Sequence, residues 1–519
     1  MSRGAASLAR RRGLVLAACC FTLACTGEEE RACPGLPRPS PEVFVDATAE
    51  LGIAATHHLA TDFCELSDTI GGPGVCVLDA DGDARMDVFA VDRAGHQKSL
   101  FLRRDAAFEE AAEERGLALS EVDAMGCLAF DFDGDADTDL LVTGNAGDRL
   151  MRNDGGMFSD ATNESGLADD EGFSVSATAG DVDGDGDLDL FVGRVVSLAS
   201  CPQQCSLFPI ACEAARSLLY INEGGRFTER GEALGIVAHE PTLAALMFDF
   251  DYDRDVDLFV GNDMGIEFPD RLYENRGGTF VDVAAARGLA GIGTDTMGVD
   301  VGDYDRDGLT DLIISDFSKR PIRLYHCYDS ESPCSNDVLP DGLDYVKWGL
   351  GLVDFDNDGR LDVFVATGAV GKQDDVSPPH LYFQREGFVE HVPREGEALA
   401  ERGLGRGVAF GDLDDDGDVD AVVANAGGAL RVLRNEAAAG QSLTVTLDSL
   451  AAGAVVRVTT ESGTQTEHAV IGGSYAGSSD PRLHFGLGAS CEADVLVQYL
   501  DGTERRVEGV PAGRLAITR

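Results

Sequence analysis

Apolar residues through most of this chain fall in short, often β-branched runs bounded by glycine. Seven such runs recur: Val88-Phe89-Ala90, Leu140-Leu141-Val142, Leu190-Phe191-Val192, Leu258-Phe259-Val260, Leu312-Ile313-Ile314, Val363-Phe364-Val365 and Ala421-Val422-Val423. Each follows a knot of aspartates, and short apolar runs bounded by polar and glycine residues predict buried strands. A second strand precedes each knot, as in Gly349-Leu350-Gly351-Leu352-Val353 and Gly407-Val408-Ala409-Phe410. Downstream lies a Leu-Tyr-x-Asn strand, from Leu150 to Asn153, Leu219 to Asn222 and Leu272 to Asn275. A fourth strand follows at Phe158-Ser159-Asp160, Phe227-Thr228-Glu229 and Phe280-Val281-Asp282, and then a Gly-Leu turn (Gly166-Leu167, Gly288-Leu289).

The knots begin at Asp79, Asp131, Asp181, Asp249, Asp303, Asp354 and Asp412, at intervals of 52, 50, 68, 54, 51 and 58 residues. A four-stranded unit with a period near fifty predicts a propeller or solenoid. The ends of the array are complementary. The last unit stops at Leu433-Arg434-Asn435 without a fourth strand, whereas Phe44-Val45-Asp46-Ala47-Thr48 is a fourth strand with no unit before it. Pairing the two closes a ring and removes two exposed sheet edges. The expected fold is all-β: a seven-bladed β-propeller over residues 41–436, followed by a small β domain at 437–519.

Every knot carries aspartate at positions one, three, five and nine. The full set is Asp79, Asp81, Asp83 and Asp87; Asp131, Asp133, Asp135 and Asp139; Asp181, Asp183, Asp185 and Asp189; Asp249, Asp251, Asp253 and Asp257; Asp303, Asp305, Asp307 and Asp311; Asp354, Asp356, Asp358 and Asp362; and Asp412, Asp414, Asp416 and Asp420. Alternate carboxylates on a tight turn converge on one point, and crowding them without a cation is destabilising. Hard oxygen donors suit Ca²⁺, so about seven Ca²⁺ ions are expected. An EF-hand needs glutamate at position twelve; here that position is Ala90, Val142, Val192, Val260, Ile314, Val365 and Val423, each within a strand. The bend at position six is Gly186, Gly308, Gly359 or Gly417 in four loops. Ala84, Ala136 and Arg254 stand there in the others, which are expected to bind more weakly.

These loops resemble the FG-GAP/VCBS repeats of integrin-α-type propellers. The fuller pattern, Phe280-Val281-Asp282-Val283 with Gly288-Leu289 and Gly302-Asp303-Tyr304-Asp305, is similar to the cartilage acidic protein family. The resemblance implies that the loops bind calcium structurally, through the four aspartates and a position-seven carbonyl, on the face away from the ligand surface. Past Ala437-Ala438-Ala439-Gly440 the aspartate repeat ceases. Gly472-Gly473-Ser474-Tyr475 and Leu483-His484-Phe485-Gly486-Leu487-Gly488 resemble an ASPIC/UnbV domain, with Tyr499-Leu500-Asp501-Gly502 where that family usually has tryptophan before a Pro-x-Gly turn. His484 is expected to pack in a β core.

Composition adds a compartment. With 41 basic and 92 acidic residues the net charge is −51, which excludes nucleic acid as a partner. Arg3, Arg10, Arg11 and Arg12 precede the apolar run Gly13 to Ala24, a pattern that predicts an export signal. Phe21-Thr22-Leu23-Ala24-Cys25 looks like a lipobox, so residues 1–25 are read as a lipoprotein-type signal with Cys25 lipidated. Leu16-Ala17-Ala18-Cys19 fits locally but has a shorter apolar stretch. Residues 26–40 read as a tether, placing the chain in a bacterial cell envelope, lipid-anchored to the membrane and facing periplasm or exterior, with ordinary signal cleavage and secretion as the alternative. Ten further cysteines in an exported chain predict disulfides, with Cys201, Cys205 and Cys212 in one insertion and Cys327 and Cys334 in another.

No catalytic constellation stands out. Gly-x-Ser-x-Gly, His-Glu-x-x-His and phosphate loops are absent from the sequence, and His57-His58 are read as solvated. Binding is the expected class: a recognition or adhesion module for protein or glycan. A polysaccharide-lyase-like enzyme and a purely structural envelope component are the alternatives. Insertions at 194–216, 261–270, 315–321 and 366–379 fall opposite the aspartate loops, making Arg194, Asn262, Lys319, Arg320 and Lys372 candidate ligand contacts.

Overall fold

The computed structural model describes residues 42–59 and 71–518, apart from 106, 146, 168–171, 202–211, 238, 266, 291–293, 318, 330–331, 340–342, 371–375 and 449–450. Residues 1–41 lie outside that range, and with them the signal segment, Cys25 and the tether; so do Cys205 and Lys372.

Among the described residues, seven four-stranded antiparallel sheets form the β-propeller between Phe44 and Asn435. The second shows the plan: Ala124–Phe130, Asp139–Gly144, Arg149–Asn153 and Phe158–Asp160, in sequential order. Its aspartate loop joins the first two strands, with Phe130 paired to Asp139. The two inner strands of each blade are buried almost throughout because sheets pack on both their faces. The fourth strand is short and half-exposed.

The inner strands meet in cyclic order and the seventh blade returns to the first. Phe44–Asp46 supplies the seventh blade's outer strand, with Phe44 opposite Asn435 and Asp46 opposite Leu433. Phe44 packs edge-on against Phe355 and Phe364 of the sixth blade. The complementary ends therefore close the ring. The Gly-Leu turn is the exit of a one-turn helix, as at Thr162–Ser165, where Gly166 takes a φ of +89°.

The last part of the chain builds two smaller sheets, from Gln441–Leu447 to Gly513–Ile517, around Val456, Phe485 and Val495. The segment 471–480 leaves them and threads the propeller axis. Ile471 accepts from Ala179 N–H (3.2 Å), Ser474 exchanges bonds with Val299 (2.6 and 3.1 Å), Ala476 accepts from Cys127 N–H (3.3 Å) and Ser478 from Val77 N–H (2.9 Å). Asp480 N–H donates to Phe410 O at 2.8 Å. Five inner strands thus bond to one passing chain. Tyr475 is fully buried against Trp348, with ring centroids 5.0 Å apart.

Disulfides join Cys76 to Cys127, Cys201 to Cys212 and Cys327 to Cys334. The first ties the inner strands of the first two blades, a pairing the sequence does not suggest. Such bonds point to an extracellular or periplasmic compartment. Among the described residues no helix is long and apolar enough to cross a membrane.

Candidate cation loops of the propeller

Each aspartate of a loop has its own backbone task. The position-one carboxylate closes the turn: Asp181 accepts from Gly184 (2.8 Å), Asp185 (3.1 Å) and Gly186 (3.0 Å) N–H. Position five accepts the N–H of position seven in all seven loops, as Asp185 does from Asp187 at 2.9 Å. Position nine is a strut. One oxygen takes the N–H of position two and the other an N–H of the third strand; Asp139 does so with Phe132 (2.9 Å) and Asn153 (2.7 Å).

In the first three loops, carboxylate oxygens of positions one, three and nine lie within 4.8 Å of one another. Position three keeps spare capacity. Oδ1 of Asp81, Asp133, Asp356 and Asp414 is buried and has no hydrogen-bond donor. Buried donorless carboxylate oxygens are costly, so the arrangement fits a hard divalent cation seated among them. Burial, aided by neighbouring aspartates, raises the position-nine carboxyls: Asp87 to about 7, Asp139, Asp189, Asp257 and Asp311 to about 8, and Asp362 and Asp420 well above the usual range.

Guanidinium groups approach several loops. Arg104 pairs with Asp81 (2.9 Å), Arg152 with Asp133 (3.0 Å), Arg385 with Asp356 and Asp358, and Arg514 with Asp412 (3.2 Å) and Asp415. Among the described residues the third loop has no such partner.

Position six has positive φ in every loop, including Ala84 (65°), Ala136 (73°) and Arg254 (79°). Position four does too: Gly82, Gly134 and Gly184 in the first three loops, then Tyr252, Arg306, Asn357 and Asp415. Only the 181–189 loop has glycine at both, and the 249–257 loop has it at neither.

The asparagine of the Leu-Tyr-x-Asn strand connects the loops around the ring. Its side-chain amide donates to the position-two carbonyl of the preceding blade: Asn153 to Ala80 (3.1 Å), Asn222 to Phe132 (2.8 Å), Asn275 to Val182 (2.7 Å) and Asn435 to Phe355 (2.8 Å). Gln384 does the same to Tyr304, and Arg103 to Leu413. The recurring asparagine was the available signal, although nothing local in the sequence shows that it reaches the neighbouring blade.

An FG-GAP-like repeat family matches residues 131–192, 249–314 and 354–423, each span enclosing aspartate loops, and the ASPIC and UnbV family matches 445–518. The chain carries FG-GAP-like repeats and an ASPIC and UnbV domain. It is similar to cartilage acidic protein 1 of Mus musculus, 30% identical over 268 residues, which covers 47% of this chain and 40% of that protein. The Xenopus tropicalis protein is 27% identical over 274 residues, with 47% and 40% coverage. The chain thus spans about two fifths of the length of the curated relatives it matches. Among solved structures it is similar to YCF48 from Cyanidioschyzon merolae, with a TM-score of 0.43, 10% identity, and coverage of 70% of this chain and 96% of that one.

The UnbV domain sits on the aspartate-loop side of the FG-GAP propeller. Arg306 donates to Ser462 O (3.2 Å), His484 bonds Asn357 Oδ1 (2.7 Å), Thr310 contacts His468 (2.5 Å) and Arg514 reaches the seventh loop. His484 is therefore an interface residue rather than part of a β core, and burial lowers its pKa to about 4. Other sequence expectations are corrected. His57 is buried, its Nδ1 accepting from Gly427 N–H (3.2 Å), because the chain before the first blade folds back onto the seventh. Arg194 and Asn262 are not free loop residues. They are buried in inner strands, Asn262 donating to Glu240 (2.9 Å) and Pro269 O (2.9 Å). Arg320 is held by Asp295 at 2.8 Å, and Lys319 is exposed.

Proposed function

We propose that each aspartate loop holds one Ca²⁺ and that the ions lock a recognition module whose ligand surface is the face opposite the loops. The donorless buried oxygens of Asp81, Asp133, Asp356 and Asp414 carry the calcium reading. Bound there, the cation would satisfy the Oδ1 atoms that the arginines paired with the other oxygens of Asp81, Asp133 and Asp356 leave without a donor. The chain's own residues do the rest. Position one shapes the turn, position five holds its exit, and position nine transmits loop geometry to the third strand and, where that strand carries the asparagine, to the preceding blade.

The surface assignment follows from what is covered. The UnbV domain occupies loop-face positions in blades four to seven and its segment fills the axis, leaving the opposite face open. A groove of about 550 Å³ lies on that face, lined by Asp46, Glu401, Arg402, Asn425 and Arg431. Its charged rim on rigid connections suits an extended polar ligand, protein or glycan. The N-terminal export signal and lipidation of Cys25 would present this face outside the membrane.

Equilibrium dialysis against calcium should load about seven ions, and the same calcium-loaded sample should be screened against glycan and peptide arrays. Arg402→Ala is expected to weaken a hit at least tenfold, as loss of a charged hydrogen bond at a binding site does. Loading of one ion or none overturns the calcium assignment; a hit indifferent to Arg402→Ala and Glu401→Gln overturns the groove.

A further inference from the structure

The fifth blade departs from the other six where it meets its loop. At the residue before the one whose N–H donates to the strut aspartate, the other blades carry Leu102, Arg152, Ile221, Glu274, Phe383 and Arg434. The fifth carries His326, and Cys327 replaces the inter-blade asparagine. The imidazole is 5% exposed and turns into the loop. Its Nδ1 lies 2.9 Å from Asp311 Oδ1 and 3.3 Å from Asp305 Oδ2, and its Nε2 lies 3.9 Å from Asp307 Oδ2. Asp305, Asp311 and His326 each offer an atom within 4.8 Å of the others. The rings of Tyr304 and Tyr328 stand edge-on to the imidazole, at 5.9 and 4.1 Å.

We propose that the fifth loop is a transition-metal site, binding a divalent ion of the zinc class through His326, Asp305 and Asp311 in preference to calcium. This rests on the reading of the seven loops as cation sites and assigns one of them a different ion. Calcium takes oxygen ligands, whereas imidazole nitrogen is a standard ligand for zinc, copper, nickel and iron. Donors bonded at about 2.0–2.2 Å to one tetrahedral ion stand about 3.3–3.6 Å apart; His326 Nδ1 is already 3.3 Å from Asp305 Oδ2, and its 2.9 Å to Asp311 Oδ1 would open by about half an ångström to admit the ion. The repeat is its own control. The loops share a backbone plan and the same four aspartates, so the imidazole is the difference that changes the donor set. A simple His326–Asp311 hydrogen bond is the rival account of the same distances.

The test strips the full chain with chelator, returns it to millimolar calcium with a slight excess of Zn²⁺, dialyses against calcium alone and counts retained zinc by elemental analysis. The wild type should keep one zinc and His326→Asn none. Glu274→His, which installs an imidazole at the matching place of the fourth blade, should keep a second; it decides the matter even if His326→Asn does not fold. A wild type that keeps no zinc, or an H326N chain that keeps as much, overturns the proposal. The melting point with and without calcium is read on the same samples. A chain that ignores calcium yet retains one zinc overturns the calcium reading alone, and one that responds to calcium but retains no zinc overturns this inference alone.

Discussion

A non-glycine residue at positive φ is strained by its Cβ against the following carbonyl, by roughly 1–2 kcal/mol. Glycine recurs at position six, so the sequence identifies that bend and ranks the Ala84, Ala136 and Arg254 loops as weak. The second bend, at position four, is hidden because glycine stands there in only three loops while asparagine and aspartate, which tolerate the left-handed region, stand in two. Both bends together make the 181–189 loop the least strained and the 249–257 loop the most. Arg254→Gly should therefore stabilise the calcium-loaded protein by about 1–2 kcal/mol, and Gly186→Ala should destabilise it by a similar amount. Urea unfolding in saturating calcium reads both; a neutral or destabilising Arg254→Gly would show that the arginine is held by contacts that outweigh its strain.

At the scale of strands and loops, the asparagine links matter more than their single hydrogen bonds suggest. Asn222 is fully buried; its amide bridges Phe132 O and Leu188 O (3.0 Å), and its Oδ1 accepts Gly225 N–H (2.9 Å). Asn222→Ala orphans buried backbone groups in two blades and is expected to cost about 1–3 kcal/mol, measured by chemical denaturation in calcium. A loss below 0.5 kcal/mol or so would mean that water satisfies those groups. What was legible in the sequence follows the same division. Strand order and the aspartate hairpins could be read because short apolar runs and turn chemistry are local, and the closure of Phe44–Asp46 onto Leu433–Asn435 because the two ends of the repeat array are complementary. The asparagine bridge, the Cys76–Cys127 bond and the axial course of 471–480 join residues from 51 to several hundred positions apart, and local pattern carries no trace of them. Gly472-Gly473-Ser474-Tyr475 read only as part of a domain resemblance; its place in the propeller depends on the cavity that seven inner strands leave on their axis.

For the molecule as a whole, the question is whether calcium acts by neutralising a net charge of −51 or by occupying particular buried seats. Seven ions would leave a charge of about −37, so global repulsion persists either way. The seats have a distinct signature. Without metal, burial holds Asp87 near 7 and Asp139, Asp189, Asp257 and Asp311 near 8, against 3.8 in an unfolded chain. Between those limits the folded state binds more protons than the unfolded one, so metal-free stability is present at low pH and is lost as pH rises toward 8. A cation replaces those protons and removes the dependence. The melting point in EDTA should thus fall steadily from about pH 5 to about 8, whereas in calcium it should stay nearly level, the gap widening with pH. Sodium chloride separates the two causes, since screening over about 10 Å at 0.1 M weakens repulsion between exposed charges and leaves buried ones nearly untouched. Added salt should raise the EDTA curve at every pH without flattening it. If salt flattened the curve as calcium does, surface repulsion rather than the seven buried struts would govern the response.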